Sequence, residues 1–293
     1  MTPAYNESMQ IVRHRSDALS RWFFALVLAV TGGDVHGQDG DVSGSPIWQK
    51  VHADVFAGAP IDVGDDVVSL EAPVRAQDAA IVPIAIHASF PQTSDHYITK
   101  MWLIIDNNPS PMAAVFEFSK ESGRADIETR VRVEQYTNVR AVALTNDGEL
   151  HMAVRYVKAS GGCSAPASKD AEAARASIGK MRLRVEPSPS HGQPALAQLM
   201  INHPNDSGLA MDQLTRYYAP AHFVRTVDVR YGGKPLLHAD VDFSISENPN
   251  FRFNFTPGQG DELEARVVDN QDLEFATRIK LGADALRPAS ASR

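Results

Sequence analysis

The chain has 293 residues, long enough for two domains of ordinary size. Hydrophobic residues make up 43% and charged residues 22%, the balance of a folded protein rather than a disordered one. A formal net charge of −8, from 28 basic and 36 acidic side chains, excludes a general nucleic-acid binder, which needs a basic stripe to displace counterions from phosphates.

The N-terminus reads as a secretory signal. Arg13, His14, Arg15 and Arg21 are basic, Trp22 to Val30 is an unbroken apolar run, and Thr31-Gly32-Gly33 breaks any helix. Val35-His36-Gly37 places acceptable residues at −3 and −1 of a cut before Gln38, so residues 1–37 are expected to be removed on export. The apolar run is too short to span a bilayer, and no adjacent Arg-Arg pair points to the twin-arginine route. An uncleaved anchor or a core helix is the plainer alternative for the same run, and Met9 is an alternative start.

Trp48 to Phe56 carries Trp48, Val51, Val55 and Phe56 near one face of a short helix. The pattern then changes to short β-rich runs. Val67 to Leu70, Ala80 to His87, Tyr97 to Asp106, Ala113 to Phe118, Asp126 to Val133, Ala141 to Thr145 and Leu150 to Val157 predict strands. Turn residues separate them, and Asp147-Gly148 is the strongest hairpin signal. Such a run of short strands predicts an immunoglobulin-like sandwich over residues 46–160.

Residues 161–177 lie in a stretch that is small, polar and rich in Gly, Ala and Ser, which predicts a flexible linker with at most a turn or two of helix near its end. Strands then resume over residues 178–283: Met181 to Val185, Ala197 to Asn202, Phe223 to Tyr231, Pro235 to Ile245, Phe251 to Phe255, Glu262 to Asp269 and Leu273 to Leu281. Gly232-Gly233 predicts a hairpin that sets Val227, Val229 and Tyr231 against Val241, Phe243 and Ile245. The fold class is therefore all-β, two immunoglobulin-like sandwiches joined by a flexible linker. Residues 287–293 read as a frayed tail.

Cys163 is the only cysteine, so an exported chain cannot close an internal disulfide with it. Gly161 and Gly162 would give the arm before it free rotation and let it present the thiol to different partners. Its neighbours supply no charge to lower a thiol pKa of about 8.5, and Lys158 and Lys169 are too loosely placed to count on. A partner enzyme would have to activate it. The plainer alternative is a small buried side chain, although no apolar residues flank Cys163 at strand spacing.

Two stretches carry a family resemblance. The second half resembles SoxZ, a small β-sandwich subunit of the bacterial sulfur-oxidation system, through His203-Pro204-Asn205-Asp206-Ser207-Gly208, Pro220-Ala221-His222-Phe223, Ser244-Ile245-Ser246-Glu247-Asn248-Pro249 and Asp269-Asn270. Asn205-Asp206-Ser207-Gly208 stands where the family usually has Met-Glu-Thr-Gly. The first half resembles SoxY, the sulfur-carrying partner, through Trp48, Asp54-Val55-Phe56, Leu70-Glu71-Ala72-Pro73, Ala79-Ala80-Ile81-Val82-Pro83-Ile84 and Gly161-Gly162-Cys163. SoxY ends in Gly-Gly-Cys-Gly-Gly, whereas here Ser164-Ala165-Pro166 follow and the chain runs on.

The resemblance implies a fused SoxYZ-like carrier, a type known beside quinoprotein dehydrogenase genes. It implies a periplasmic protein that is no enzyme itself and holds sulfur-containing intermediates on Cys163. Periplasmic enzymes would load and unload the thiol, with a quinoprotein dehydrogenase system among the candidates. No cofactor, metal or nucleic acid is implied. On this reading Cys163→Ser should leave stability nearly unchanged, because an arm residue buries little area. Two rivals stand beside it: a non-catalytic scaffold associated with a quinoprotein dehydrogenase, and a redox chaperone that forms mixed disulfides. His87, His96, His151, His203, His222 and His238 show no recognised metal-ligand spacing, and His238, Asp240 and Asp242 read as the wet face of a strand.

Overall fold

The computed structural model describes residues 45–165, 171–186, 193–211, 216–258 and 262–281. The expected signal segment, its cleavage site and the C-terminal tail lie outside the described residues, as do residues 166–170 of the linker. Among the described residues no helix is long and apolar enough to cross a membrane.

Helix α1 (Pro46–Phe56) starts where Ser45 Oγ accepts the Trp48 N–H and Pro46 supplies a pre-set first turn. It stops at Ala57, which adopts a left-handed φ of 53°. Trp48 and Phe56 seal the helix onto Ile104, Val142 and Met152.

The first half contributes β1 (Asp62–Val63), β2 (Val68–Glu71), β3 (Val82–Ala88), β4 (Ile98–Ile105), β5 (Met112–Phe118), β6 (Ile127–Val131), β7 (Thr137–Thr145) and β8 (Leu150–Val157). The second contributes helix α2 (Ala171–Ala176) and β9 (Met181–Glu186), β10 (Ala195–Ile201), β11 (Val224–Tyr231), β12 (Lys234–Val241), β13 (Asn250–Phe255), β14 (Glu262–Asp269) and β15 (Glu274–Lys280). Alternation sets the faces: Phe251, Phe253 and Phe255 of β13 are buried while Arg252 and Asn254 look outward.

Two predicted boundaries move for physical reasons. β7 begins four residues before the predicted start at Ala141, because Asn138 and Arg140 are polar yet buried. β12 stops at Val241, where Asp242 N–H turns aside to Ala113 O and Ile245 N–H returns to Asp242 O. The β11–β12 register is accordingly different from the predicted one. Val227 faces Ala239 and Val229 faces Leu237, with a bulge before Tyr231 meets Lys234. The turn between them is as expected, with Gly232 at φ 54° and Gly233 at φ 78°.

The sheets are not confined to the halves. One runs β1-β8-β7-β4-β5-β12-β11-β14-β15 and the other β2-β3-β6-β13-β10-β9. First-half β5 pairs antiparallel with second-half β12, from Phe118↔Leu237 to Ala114↔Val241. In the facing sheet β6 pairs with β13 at Ile127↔Phe253 and Glu128↔Arg252. The two sandwiches thus join edge to edge in both layers and share one apolar core, in which Phe116 meets Phe251 with T-shaped rings 6.4 Å apart. Four otherwise exposed strand edges are consumed by this junction.

Candidate functional site

Beyond β8 the chain folds back against the segment that follows β6. Gly161 N–H donates to Glu134 O at 2.9 Å and Gly162 N–H to Val133 O at 3.0 Å. Gly161 has φ 84°, a left-handed turn that an L-residue enters only with strain. Gly162 is packed so closely that a Cβ there would meet Ala79 O at 2.0 Å and Val133 N at 2.7 Å. These glycines therefore do something other than the freedom expected of them. Gly161 makes the turn and Gly162 lets two backbones touch.

Cys163 follows directly and is 0% exposed. One carboxylate fixes its backbone: Glu134 Oε2 accepts Cys163 N–H at 2.8 Å and Ser164 N–H at 3.1 Å, while Glu134 Oε1 accepts Ser164 O–H at 3.0 Å. From the second half, Ser207 O–H donates to Cys163 O at 2.5 Å. Beneath the arm lies Arg132, 1% exposed, whose Nη1 donates to Gly162 O at 3.1 Å and whose Nη2 reaches Pro204 O and Asn205 O at 3.4 Å each. The loose arm expected at Gly161, Gly162 and Cys163 is, in this structure, a docked arm clasped by both halves.

Docking silences the thiol. Burial, first, and the Glu134 carboxylate, second, push the Cys163 thiol up to about 12, against a smaller opposing pull from Arg132. A thiol so placed is protonated at neutral pH and is neither nucleophile nor metal ligand. The expectation that Cys163→Ser is neutral to stability is corrected on the same ground. Serine would put a hydroxyl where a fully buried sulfur now packs, at a cost of about 1–3 kcal/mol if it finds no partner.

The second half builds its side of the clasp around a polar knot. His222 Nε2 lies 2.7 Å from Asp269 Oδ2, and His203 Nε2 lies 3.6 Å from the same oxygen. Asp269 Oδ1 accepts the N–H groups of Gln271 and Leu273. His203 Nδ1 accepts Asn205 N–H at 3.1 Å, and Asn205 in turn donates to Ile245 O and accepts Val224 N–H. The loop carrying Pro204, Asn205 and Ser207 to the arm is thereby tied to Asp269, Ile245 and Val224.

Sequence spacing gave no hint that His203 and His222 meet, because they come together across a long loop onto an aspartate from β14. Their ligand atoms and that of Asp269 fall within 4.8 Å of one another. The hydrogen bond from Asn205 N–H nevertheless occupies the Nδ1 lone pair of His203 and puts the ring proton on Nε2, the atom that would have to face an ion. Desolvation, together with the nearby His222, lowers the His203 pKa to about 4, so the ring is neutral and structural. His238 stands apart, 2.7 Å from Asp228 Oδ1 on a half-exposed strand face. A concavity of about 740 Å³ crosses the outer face of the six-stranded sheet, but Glu128 and Arg252 within it already pair with each other, and it lies away from the thiol.

Fold and site together define a two-domain β-sandwich protein whose single thiol is held where the domains meet. A family model for SoxY, described as sulfur oxidation protein SoxY, matches residues 52–163. A second, for SoxZ, described as sulphur oxidation protein SoxZ, matches residues 182–280. Together they cover more than half of the chain. It belongs to these families, one in each half, and is a fused SoxYZ-like sulfur carrier.

Among solved structures it is similar to the sulfur carrier protein SoxY from Chlorobium limicola f thiosulfatophilum, at 26% identity over 39% of this chain and 91% of that one, with a TM-score of 0.32. It is also similar to a superoxide reductase (neelaredoxin) from Ignicoccus hospitalis, at 16% identity over 32% of this chain and 79% of that one, with a TM-score of 0.29. No curated protein matches the chain in sequence.

Proposed function

We propose that this sulfur-oxidation carrier holds its cargo covalently on Cys163, and that the docked arm is its resting state. The observation that carries the reading is the end of the SoxY match at residue 163, the one cysteine of the chain. Contacts from both halves then give the arm a reason to sit at the junction. Release would break the hydrogen bonds to Glu134, Val133, Ser207 and Arg132 and return the thiol to an ordinary pKa. Because the chain continues past Cys163, the arm would enter a partner enzyme as a loop rather than as a free tail. The reading also includes export to the periplasm, where partner enzymes would load and unload the sulfur.

One observation favours a second reading. The complete burial of Cys163 is what a structural cysteine would show, in a protein that scaffolds a partner such as a quinoprotein dehydrogenase. Intact mass spectrometry of the protein purified from its native compartment separates the two. Discrete mass additions that map to Cys163, on a chain beginning near Gln38, are the expected result. A bare thiol in every preparation would leave the scaffold.

A further inference from the structure

The arm is a short tether. Its root is fixed: Lys158 N–H donates to Val74 O at 2.9 Å, Ala76 N–H donates to Lys158 O at 3.3 Å, and Ala159 is buried in the shared core. Undocking frees the chain only beyond Ala159. Cys163 Cα can then lie no farther than about 14 Å from Ala159 Cα, the span of four fully extended residues. A protein that acts on the sulfur must therefore press its reacting groups against this end of the molecule and cover the surface around the root.

That surface is where exposed apolar side chains gather. Among the described residues nine large hydrophobic side chains are exposed, and five of them stand in segments tied to the arm. Val74 accepts the Lys158 N–H at the root, and Tyr136 lies two residues past Glu134. Leu209 N–H donates to the Ser207 hydroxyl that holds Cys163 O. Tyr217 and Tyr218, 78% and 59% exposed, belong to a ribbon that leads away from the same hydroxyl. In it Asp206 and His222 exchange N–H to O bonds, Ala219 N–H donates to Ala210 O, and Met211 bridges to Tyr218. Met211 is four residues from Ser207, so this bridge lies within about 14 Å of the arm's clasp. Exposed apolar residues scattered singly need no explanation, whereas adjacent tyrosines beside a surface that a partner must cover are the residue type that anchors protein interfaces.

We propose that Val74, Tyr136, Leu209, Tyr217 and Tyr218 form the docking surface for the enzyme that loads Cys163, with the two tyrosines as its anchors. The proposal rests on the carrier reading and adds the place where the partner sits. It also sets the partner's shape. Its reacting groups stand at the surface or in an open cleft no deeper than the tether, with room for both limbs of a loop, beside an apolar recess that takes the tyrosine rings. A lipid bilayer holds no group that acts on a thiol, and a second copy of the chain seated here would close off both thiols.

The test combines Tyr217→Ser with Tyr218→Ser in the full chain, purified from its native compartment, and reads the loaded fraction of Cys163 by intact mass. That fraction is expected to fall at least about tenfold. The denaturation midpoint and the rate of Cys163 alkylation by iodoacetamide should stay as in the unsubstituted chain, because both rings are exposed. Val63→Ser, which removes an exposed apolar side chain from β1, should keep the load. Tyr217→Ser alone serves if the double variant does not fold. An unchanged load in the tyrosine variants would overturn the assignment. So would an unchanged load accompanied by loss of a dimer, or of binding to phosphatidylglycerol vesicles, that the unsubstituted chain shows, since the face would then belong to another occupant. A bare Cys163 in the unsubstituted chain sinks the carrier reading and this one together, whereas a normal load that ignores the tyrosines sinks this one alone.

Discussion

Two arginines of this molecule are buried to the same degree and live in opposite electrostatic circumstances. Arg140 on β7 is 0% exposed, donates through Nε and Nη2 to the two oxygens of Asp106 at 2.8 and 2.7 Å, and lies 4.4 Å from the Trp48 ring. Arg132, just past β6, has carbonyls for partners and, among the described residues, no carboxylate in ion-pair contact. A bidentate pair with an aromatic lid is closed and finished, so Arg140 fixes helix α1 and the loop after β4 to the sheet. Arg132 instead gives its hydrogen bonds to backbone carbonyls, with Glu247, Asp206 and Asp78 acting on it from beyond ion-pair contact. The same side chain thus locks a helix to a sheet at one place and ties the cysteine arm to the second half at the other.

The largest expected effect breaks that contrast at its closed end. Asp106→Ala leaves Arg140 buried and uncompensated and should cost about 3–5 kcal/mol, read as a fall in the denaturation midpoint. Arg132→Met removes a buried charge that has no carboxylate in ion-pair contact among the described residues, along with its hydrogen bonds, and should cost clearly less. Equal losses at the two positions would mean that Arg132 has a counter-ion in solution and that its difference from Arg140 is only apparent.

Much of the architecture was legible in the sequence because period-two alternation reports one property, the burial of a strand face. β3 and β14 alternate in this way, and β14 has the predicted bounds. Alternation could not show that β5 and β12, or β6 and β13, would pair across the halves. An edge strand and an inner strand present the same side chains and differ only in whether the N–H and C=O groups on their second side find a partner strand. The start of β7 failed for a related reason, since Arg140 reads as exposed until Asp106 is found 34 residues earlier. At the site, Cys163, Gly161 and Gly162 could be named and their state could not. Small residues that flex and small residues that permit close approach are spelled alike. Glu134, Arg132 and Ser207 were missed, because each reaches the arm from distant sequence. The one usable signal was Ser207, within the stretch that resembles SoxZ.

The second prediction sharpens the contrast at the open end. Gly162→Ala puts a Cβ 2.0 Å from Ala79 O, a contact that backbone cannot yield to, so the arm should leave its seat while both sandwiches remain intact. Stability should fall by no more than about 1–2 kcal/mol, because only local hydrogen bonds are lost. The thiol should change far more. Freed from burial and from Glu134, it drops from about 12 toward its ordinary range, and alkylation by iodoacetamide at pH 8 should accelerate on the order of a hundredfold. An unchanged alkylation rate would show that the arm already spends most of its time undocked.

The third expected effect concerns acid, and asks whether the arm's end of the molecule loosens first. His203 has a folded-state pKa of about 4 against 6.5 for a free imidazole, so between these values the unfolded chain binds the extra proton and the folded one does not. Its contribution to stability is therefore complete above pH 6.5 and is lost as pH falls through the window down to about 4. Desolvation is the main cause and the neighbouring His222 adds to it, while Asp269 opposes both. The greatest slope one such group can give is about 1.4 kcal/mol per pH unit. His203→Asn retains an acceptor for the Asn205 N–H and cannot titrate, so its stability should vary less between pH 6.5 and 4 than that of the unsubstituted chain. Because His203 braces the loop that offers Pro204 O, Asn205 O and Ser207 Oγ to the arm, amide exchange in residues 203–208 should rise on acidification before exchange in β4 and β7, where Asp106 and Arg140 are anchored. Parallel pH profiles for the two chains, or exchange that rises first in β4 and β7, would show that the polar knot does not govern the arm's seat.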